Sequence, residues 1–178
     1  KTLAKKEFDL DINFILSNSK KELDFLSNKK ILFTGGCGFI GYYFYWLIIF
    51  WNKKNKKNKI NYTVLDNIKK KPKWLDTTKI NFIRKDIAKL ESSFFSKFDV
   101  IIHGASIASP TLYRKEPIRT MKANILGLWN ILEGLKNKKN KILFFFSSSE
   151  VYGDPNKKNI PTNEDYNGNV SPTGPRAC

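Results

Sequence analysis

The sequence predicts an α/β fold: a parallel sheet with helices on both faces. Three observations lead there. Short apolar stretches of strand length recur at 31–34, 61–65, 80–84, 100–103 and 142–147. Between them lie helix-length segments at 38–52 and 116–136, with a shorter helix expected within 90–97, so the order is β-α-β throughout. The first strand also runs straight into a glycine cluster that opens the most apolar helix.

Taken in order, residues 1–29 read as a helical extension. Ile12, Ile15 and Leu16 share a helix face, Ser19 to Glu22 has capping-box spacing, and Leu23 and Leu26 continue an apolar face. The segment carries no catalytic chemistry and is expected to pack on the outside of the domain. Residues 30–178 are expected to form the sheet-containing domain, with no linker or internal repeat dividing it. The link at 67–79 contains KKKPKW and is short for a crossover helix, which predicts a loop or a single turn.

Bulk properties narrow the class. With 178 residues, 41% of them hydrophobic, the chain can bury the core of one domain. It is short for a dinucleotide-type domain followed by a full substrate domain. The formal charge of +16 raises the question of a polyanionic partner. Much of that charge lies in KKNKKNK (53–59) and KNKKNK (136–141), each between a helical stretch and a strand, where it reads as solvated turn. No basic stripe interleaved with aromatics accompanies them, so a nucleic-acid partner is not expected. The most apolar run, Phe39 to Trp51, is about thirteen residues against the roughly 20 that span a bilayer, so it reads as a buried helix and no membrane partner is expected. Cys37 and Cys178 offer neither a disulfide framework nor metal spacing, which suits a reducing cytosol, and no signal pattern opens the chain.

Gly35-Gly36-Cys37-Gly38-Phe39-Ile40-Gly41 contains G-x-G-x-x-G spacing between a strand and a helix. Without β-carbons the backbone can approach a pyrophosphate, while the helix N-terminus offers free N–H groups and the positive end of its dipole. The fold is therefore of Rossmann type. Asp66 ends the second strand, where a carboxylate accepts hydrogen bonds from both hydroxyls of an adenine ribose, favouring NAD over NADP. Lys69, Lys70 and Lys71 follow closely, and such a cluster attracts a 2′-phosphate. Asp86 follows the third strand, either facing the adenine edge or simply exposed. Gly104, Ala105 and Ser106 are small, as a backbone passing close to a dinucleotide requires. His103, the single histidine, has no serine–acid partnership to join and reads as structural.

Six segments together carry a family resemblance: TGGCGFIG (34–41), LDN (65–67), KDI (85–87), HGASIASP (103–110), SSSEVYGDP (147–155) and SPTGPRAC (171–178). The chain resembles the extended short-chain dehydrogenase/reductases, the NAD-dependent epimerase/dehydratase group. Within it, the HxASxASP and SEVYGDP…GPRAC segments are most similar to the UDP-glucuronate decarboxylases. The resemblance implies NAD as cofactor, held by Gly35, Gly38, Phe39, Ile40, Gly41, Asp66, Asn67, Asp86, Ile87, Gly104, Ala105 and Ser106. It implies a catalytic hydroxyl at Ser148 and an acid or base at Glu150, with Ser149, Tyr113 and Arg176 toward a UDP-sugar. In the 4,6-dehydratases an Asp precedes that glutamate, and Ser149 in its place argues against dehydration. Epimerisation, dehydration and a non-catalytic NAD-binding module remain the alternatives.

The family's Tyr-x-x-x-Lys pair, whose tyrosinate takes the sugar 4-hydroxyl proton, has no counterpart, since none of the seven tyrosines has a lysine four residues later. In relatives it follows GPRAC directly. The expectation is thus an N-terminal portion of a longer protein, cut before its substrate domain and inactive alone, whose full-length form is a cytoplasmic homodimer.

Overall fold

A computed structural model describes residues 3–171 and 173. The chain divides into two compact units, Lys1–Phe144 and Phe145–Cys178. The first unit opens with α1 (Leu3–Asn18) and α2 (Lys20–Leu26). It continues with β1 (Lys30–Thr34), α3 (Phe39–Lys54), β2 (Asn61–Asp66), β3 (Asn81–Arg84), α4 (Ser92–Phe95), β4 (Val100–His103), α5 (Pro110–Lys115), α6 (Pro117–Met121) and α7 (Gly127–Leu135). The last strand, β5 (Ile142–Phe145), ends where the second unit begins.

The five strands lie in the order β3-β2-β1-β4-β5. The chain builds outward from β1 to β3, then returns to the other side of β1 as β4, so the strand order reverses between β1 and β4 and the loops after them lie side by side at the sheet's C-terminal edge. Such a reversal is where open α/β sheets bind ligands. The pairings β1–β2, β1–β4 and β2–β3 are all parallel, with Thr34 level with Leu65 and with His103. Central strands covered on both faces lose the alternation of half-exposed ones. Leu32, Phe33, Val64, Leu65 and Ile101 are accordingly each 1% exposed or less.

Successive side chains of β1 serve opposite faces. Leu32 joins Leu65, Ile87, Phe95, Phe98, Ile101 and Ile131 in a core closed by α4 and α7, while the Phe33 ring meets Phe44 of α3 at 5.2 Å. The Phe8 ring of α1 packs on Tyr42 and Tyr43 of α3, Tyr43 Oη donates to Asp11 at 2.9 Å, and Ile12 is buried. The N-terminal helices thus cover the outer side of α3. Ser19 does stand before α2 as its N-cap residue, but its side chain makes no capping bond, so the expected capping box does not form.

Segment 67–79 has turns and no helix, as its length predicts. It is pinned on α3 instead: the Trp74 ring lies 5.1 Å from Tyr42 and 5.4 Å from Tyr45, and Asp76 N–H donates to Tyr45 Oη. The expected helix over 116–136 is a continuous helical run from Pro117 to Leu135 with a π-helical segment, Lys122–Leu126, in its middle. Helix α5 was not foreseen; Pro110 at its first position suits a helix start. In the two Lys/Asn runs, Asn55 caps α3 and Asn137 and Asn140 take left-handed φ near 60°, a conformation asparagine tolerates in turns.

Candidate functional site

The glycine loop fills residues 35–38 between β1 and α3. Gly35 has φ +72°, and a β-carbon there would lie 2.7 Å from the Gly104 carbonyl oxygen and 2.8 Å from the Ala105 backbone. A β-carbon on Gly41 would run into the Gly36 backbone. The loop after β1 is thus in backbone contact with the loop after β4 and with its own helix, which only residues without side chains permit. Gly38 caps α3 with no side-chain hydrogen bond, so the first-turn N–H groups and the positive dipole end are left for an anion. Phe39 and Ile40 occupy that first turn and are exposed.

Asp66 sits one strand over and does more than its position suggested. Its Oδ2 accepts from Cys37 N–H at 3.0 Å and its Oδ1 from Ile68 N–H at 3.2 Å. The carboxylate therefore braces the glycine loop and turns the chain after β2. Burial, then the charge and hydrogen bonding of Asp66, push the Cys37 thiol up to about 12, so at neutral pH it stays protonated and unreactive.

A second brace joins β1 to β4. Thr34 Oγ1 and His103 Nδ1 are 2.7 Å apart, both side chains are buried, and Ala105 N–H donates to the same Thr34 oxygen at 3.3 Å. A neutral imidazole lets the hydroxyl donate to Nδ1 while it accepts from Ala105. Burial holds His103 near a pKa of about 4, against 6.5 for a free histidine. The sign follows directly: a depressed pKa means the unfolded chain binds the proton more tightly, so the stability is complete above 6.5 and is lost as the pH falls toward 4. Unfolding free energy is expected to drop by about 2 kcal/mol between pH 6.5 and roughly pH 4.5. Asp76 and Asp99, held below the usual carboxylate value of 3.8, make their losses at lower pH. Urea melts at the two pH values test this, and the proton NMR signal of the single imidazole should titrate near 4; equal stability at both would refute it.

The remaining candidates fall as follows. Asp86 Oδ1 accepts from Ala88 N–H at 3.0 Å and, with Asn67, lines a cavity beyond β2 and β3. Ile87 is buried in the core, leaving only its backbone for a ligand. Ser106 is exposed, and Tyr113 is half-buried on α5. The structure thus gathers the glycine loop, Asp66, Asn67, Asp86, Gly104 and Ala105 at one sheet edge. In the second unit, Ser148 Oγ accepts from Glu150 N–H at 3.3 Å and so starts the 3-10 turn Ser149–Tyr152 that carries Ser149 and Glu150. Asn169 pins that turn by donating its N–H to the Tyr152 carbonyl and accepting from Asp154 N–H. Arg176 lies outside the described residues. Among the described residues there is no cluster of three side chains able to hold a metal, and no helix long and apolar enough to cross a membrane.

Thr34 was not anticipated, nor were Arg84, Lys85 and Arg119 of the cavity. For Thr34 a polar residue ending an otherwise apolar strand was the available signal.

Known proteins resemble this chain in sequence and in fold. The chain is 38% identical to UDP-glucuronic acid decarboxylase 6 of Arabidopsis thaliana, the alignment taking in 92% of this chain and 45% of that protein. It is 35% identical to UDP-glucuronic acid decarboxylase 1 of Danio rerio, over 99% of this chain and 40% of that one. It therefore spans less than half the length of these relatives. Among solved structures, UDP-N-acetylglucosamine 4-epimerase of Methanobrevibacter ruminantium M1, in complex with UDP-N-acetylmuramic acid, superposes with a TM-score of 0.62 at 27% identity, covering 84% of this chain and 46% of that one. An NAD-dependent NDP-hexosamine 5,6-dehydratase of tunicamycin biosynthesis gives 0.63 at 27% identity, with the same coverage. The sequence profile of the NAD dependent epimerase/dehydratase family matches residues 31–178. The side-chain-free cradle and the uncapped helix fit the dinucleotide that such enzymes use. With that match over most of its length and this loop at its sheet edge, the chain belongs to the NAD dependent epimerase/dehydratase family.

Proposed function

We propose that the protein carrying this chain is an NAD-dependent UDP-glucuronate decarboxylase. The observation that carries the reading is the alignment of nearly the whole chain with decarboxylases at 35–38% identity. Ser149 in front of Glu150, where the 4,6-dehydratases carry Asp, supports it further.

The chemistry explains the residues. Loss of CO₂ from C5 leaves an electron pair on carbon, and a ketone at C4 accommodates it; oxidation at C4 therefore precedes decarboxylation, and reduction at C4 follows it. The bound NAD supplies that reversible hydride transfer, with no net redox change. Gly35, Gly38, Gly41 and the first turn of α3 at Phe39 and Ile40 hold the pyrophosphate. Asp66 takes the ribose hydroxyls, Asn67, Asp86 and the Ile87 backbone flank the adenine, and Gly104, Ala105 and Ser106 line the path of the dinucleotide. Ser148 donates a hydrogen bond to the sugar O4 and Glu150 moves a proton, while Tyr113, Ser149 and Arg176 orient the UDP-sugar. The protein works in the cytoplasm as a homodimer. The exposed stripe Ile118, Met121, Ile125, Trp129 and Leu132, at helical spacing, suits a contact with a second copy.

Incubating the complete protein with NAD and UDP-glucuronate is expected to release one CO₂ per UDP-pentose formed, with no NADH accumulating. The 4-epimerase neighbour points to the competing outcome, a UDP-sugar that keeps its carboxylate and is inverted at C4. That product, or a dehydrated sugar, would reject decarboxylation. NAD binding with no turnover would leave a non-catalytic binding module.

A further inference from the structure

At the end of the sheet opposite the glycine loop, folding gathers charge that each segment alone spreads over a solvated turn. β2, β1, β4 and β5 are neighbours in that order, and the segments leading into them meet at this end. Backbone bonds join their entries: Asn28 N–H donates to the Lys59 carbonyl at 2.9 Å, Asp99 N–H to the Lys30 carbonyl at 2.8 Å and Ile142 N–H to the Asp99 carbonyl at 3.0 Å. With strands about 4.8 Å apart, the four entries form a row roughly 15 Å long. Segments 24–30, 53–61, 96–99 and 133–142 hold twelve lysines, no arginine and three carboxylates, Asp24, Asp99 and Glu133. The entry to β3 beside them is balanced, Lys79 pairing with Asp76 at 3.3 Å.

Asparagines set the turns and leave the lysines to the surface. The Asn52 side chain closes two bonds with the Ile60 backbone, at 2.9 and 2.8 Å, Asn55 caps α3, and Asn137 and Asn140 take the left-handed turn positions. Lys136 pairs with Glu133 at 3.6 Å and Lys141 with Asp99 at 2.9 Å, whereas the lysines of 53–59 and Lys138 and Lys139 are exposed and form no ion pair among the described residues. Lys53 and Lys54 answer the negative end of the α3 dipole; Lys56, Lys57, Lys138 and Lys139 lie beyond the last helical turns and have no such task. Along so short a row, neighbouring charges fall within about a Debye length, roughly 8 Å, and a surface of opposite charge relieves their repulsion together. Phe25, the one exposed aromatic ring of these segments, is 54% exposed with Lys29 Nζ 4.6 Å from its centroid.

We propose that this end of the sheet docks on the surface of an anionic lipid bilayer, the lysine row among the headgroups and Phe25 at their apolar boundary. Lysine suits that partner, because a compact ammonium is attracted to a diffuse layer of charge. A polynucleotide favours arginine forks and stacking rings, which the row lacks. The contact is peripheral, since no helix among the described residues is long and apolar enough to cross the bilayer. The glycine loop stands at the far end of the five-residue β1, about 16 Å away, so a docked molecule keeps its dinucleotide edge in water.

Cosedimentation of the complete protein with phosphatidylcholine vesicles, with and without about 30% phosphatidylglycerol, tests it at about 0.15 M salt. Binding is expected to the anionic vesicles alone and to be lost at about 1 M salt. Gln at Lys56, Lys57, Lys138 and Lys139 should lower the partition coefficient at least about 100-fold, each lysine contributing roughly fivefold. Gln at Lys69, Lys70, Lys73 and Lys85, four lysines that follow β2 and β3 at the opposite edge, should lower it less than about threefold. Should the first variant not fold, Lys138→Gln with Lys139→Gln serves in its place, with a loss of at least about tenfold. No binding to anionic vesicles, or equal losses in the two four-lysine variants, would overturn the proposal. Tighter binding to a single-stranded RNA at the same salt, lost in the same row variant, would make a polynucleotide the partner and overturn it as well.

Discussion

Ser148→Ala in the complete protein is expected to lower kcat on UDP-glucuronate by about 10² to 10³, with NAD binding unchanged. The hydroxyl has two roles in this reading. It donates to the sugar oxygen whose proton must leave, and its oxygen accepts the Glu150 N–H that sets the turn carrying the acid–base carboxylate. Removing it therefore costs proton transfer and loosens Glu150 together. Ser148→Thr keeps both hydrogen bonds and is expected to recover most of the activity, which a loss of folding would not allow. Steady-state kinetics on the two variants, with NAD affinity measured alongside, decides the matter. Activity of the alanine variant within a few-fold of the parent would remove Ser148 from the mechanism.

The second large effect is expected at Gly35, where Gly35→Val should weaken NAD binding by at least about 100-fold. The left-handed φ alone costs a side-chain-bearing residue roughly 1–2 kcal/mol. The added β-carbon also meets the Gly104 oxygen at 2.7 Å, and forcing extra carbon into a filled space costs a further 1–3 kcal/mol or so. The loop relieves both by moving away from Gly104 and Ala105, and in doing so gives up the cradle. Gly35 lies just beyond β1 and outside its buried residues, so circular dichroism should remain close to the parent's. Calorimetry with NAD then reads the loss, and an affinity within threefold of the parent would show that the loop does not bind the dinucleotide.

Much of this protein is local pattern, and that part was legible from residues alone. Five apolar stretches read as strands, and in β1, β2 and β4 the reason is that covered faces demand unbroken hydrophobicity. Gly35 to Gly41 read as a phosphate loop because backbone approach and an open helix end require those residues between a strand and a helix. Asp66 followed from its place at a strand's end. The boundaries moved by a residue or two, as at β2, which runs on to Asp66, and at β5, which stops at Phe145.

What tertiary structure alone decided are the contacts between segments far apart in the chain. Thr34 and His103 are 69 residues apart and meet only because β1 and β4 pair in register. Neither residue's own neighbourhood in sequence encodes that hydroxyl–imidazole brace. Asp66 reads as a ribose ligand in the sequence, yet folding also makes it the acceptor that steadies Cys37, 29 residues away. The basic cavity joins Lys69, Arg84, Lys85 and Arg119 from three elements, each in isolation an ordinary surface cation. Periodicity reports which face of an element is buried; only the pairing of strands determines which side chains end side by side at the edge where a ligand is bound.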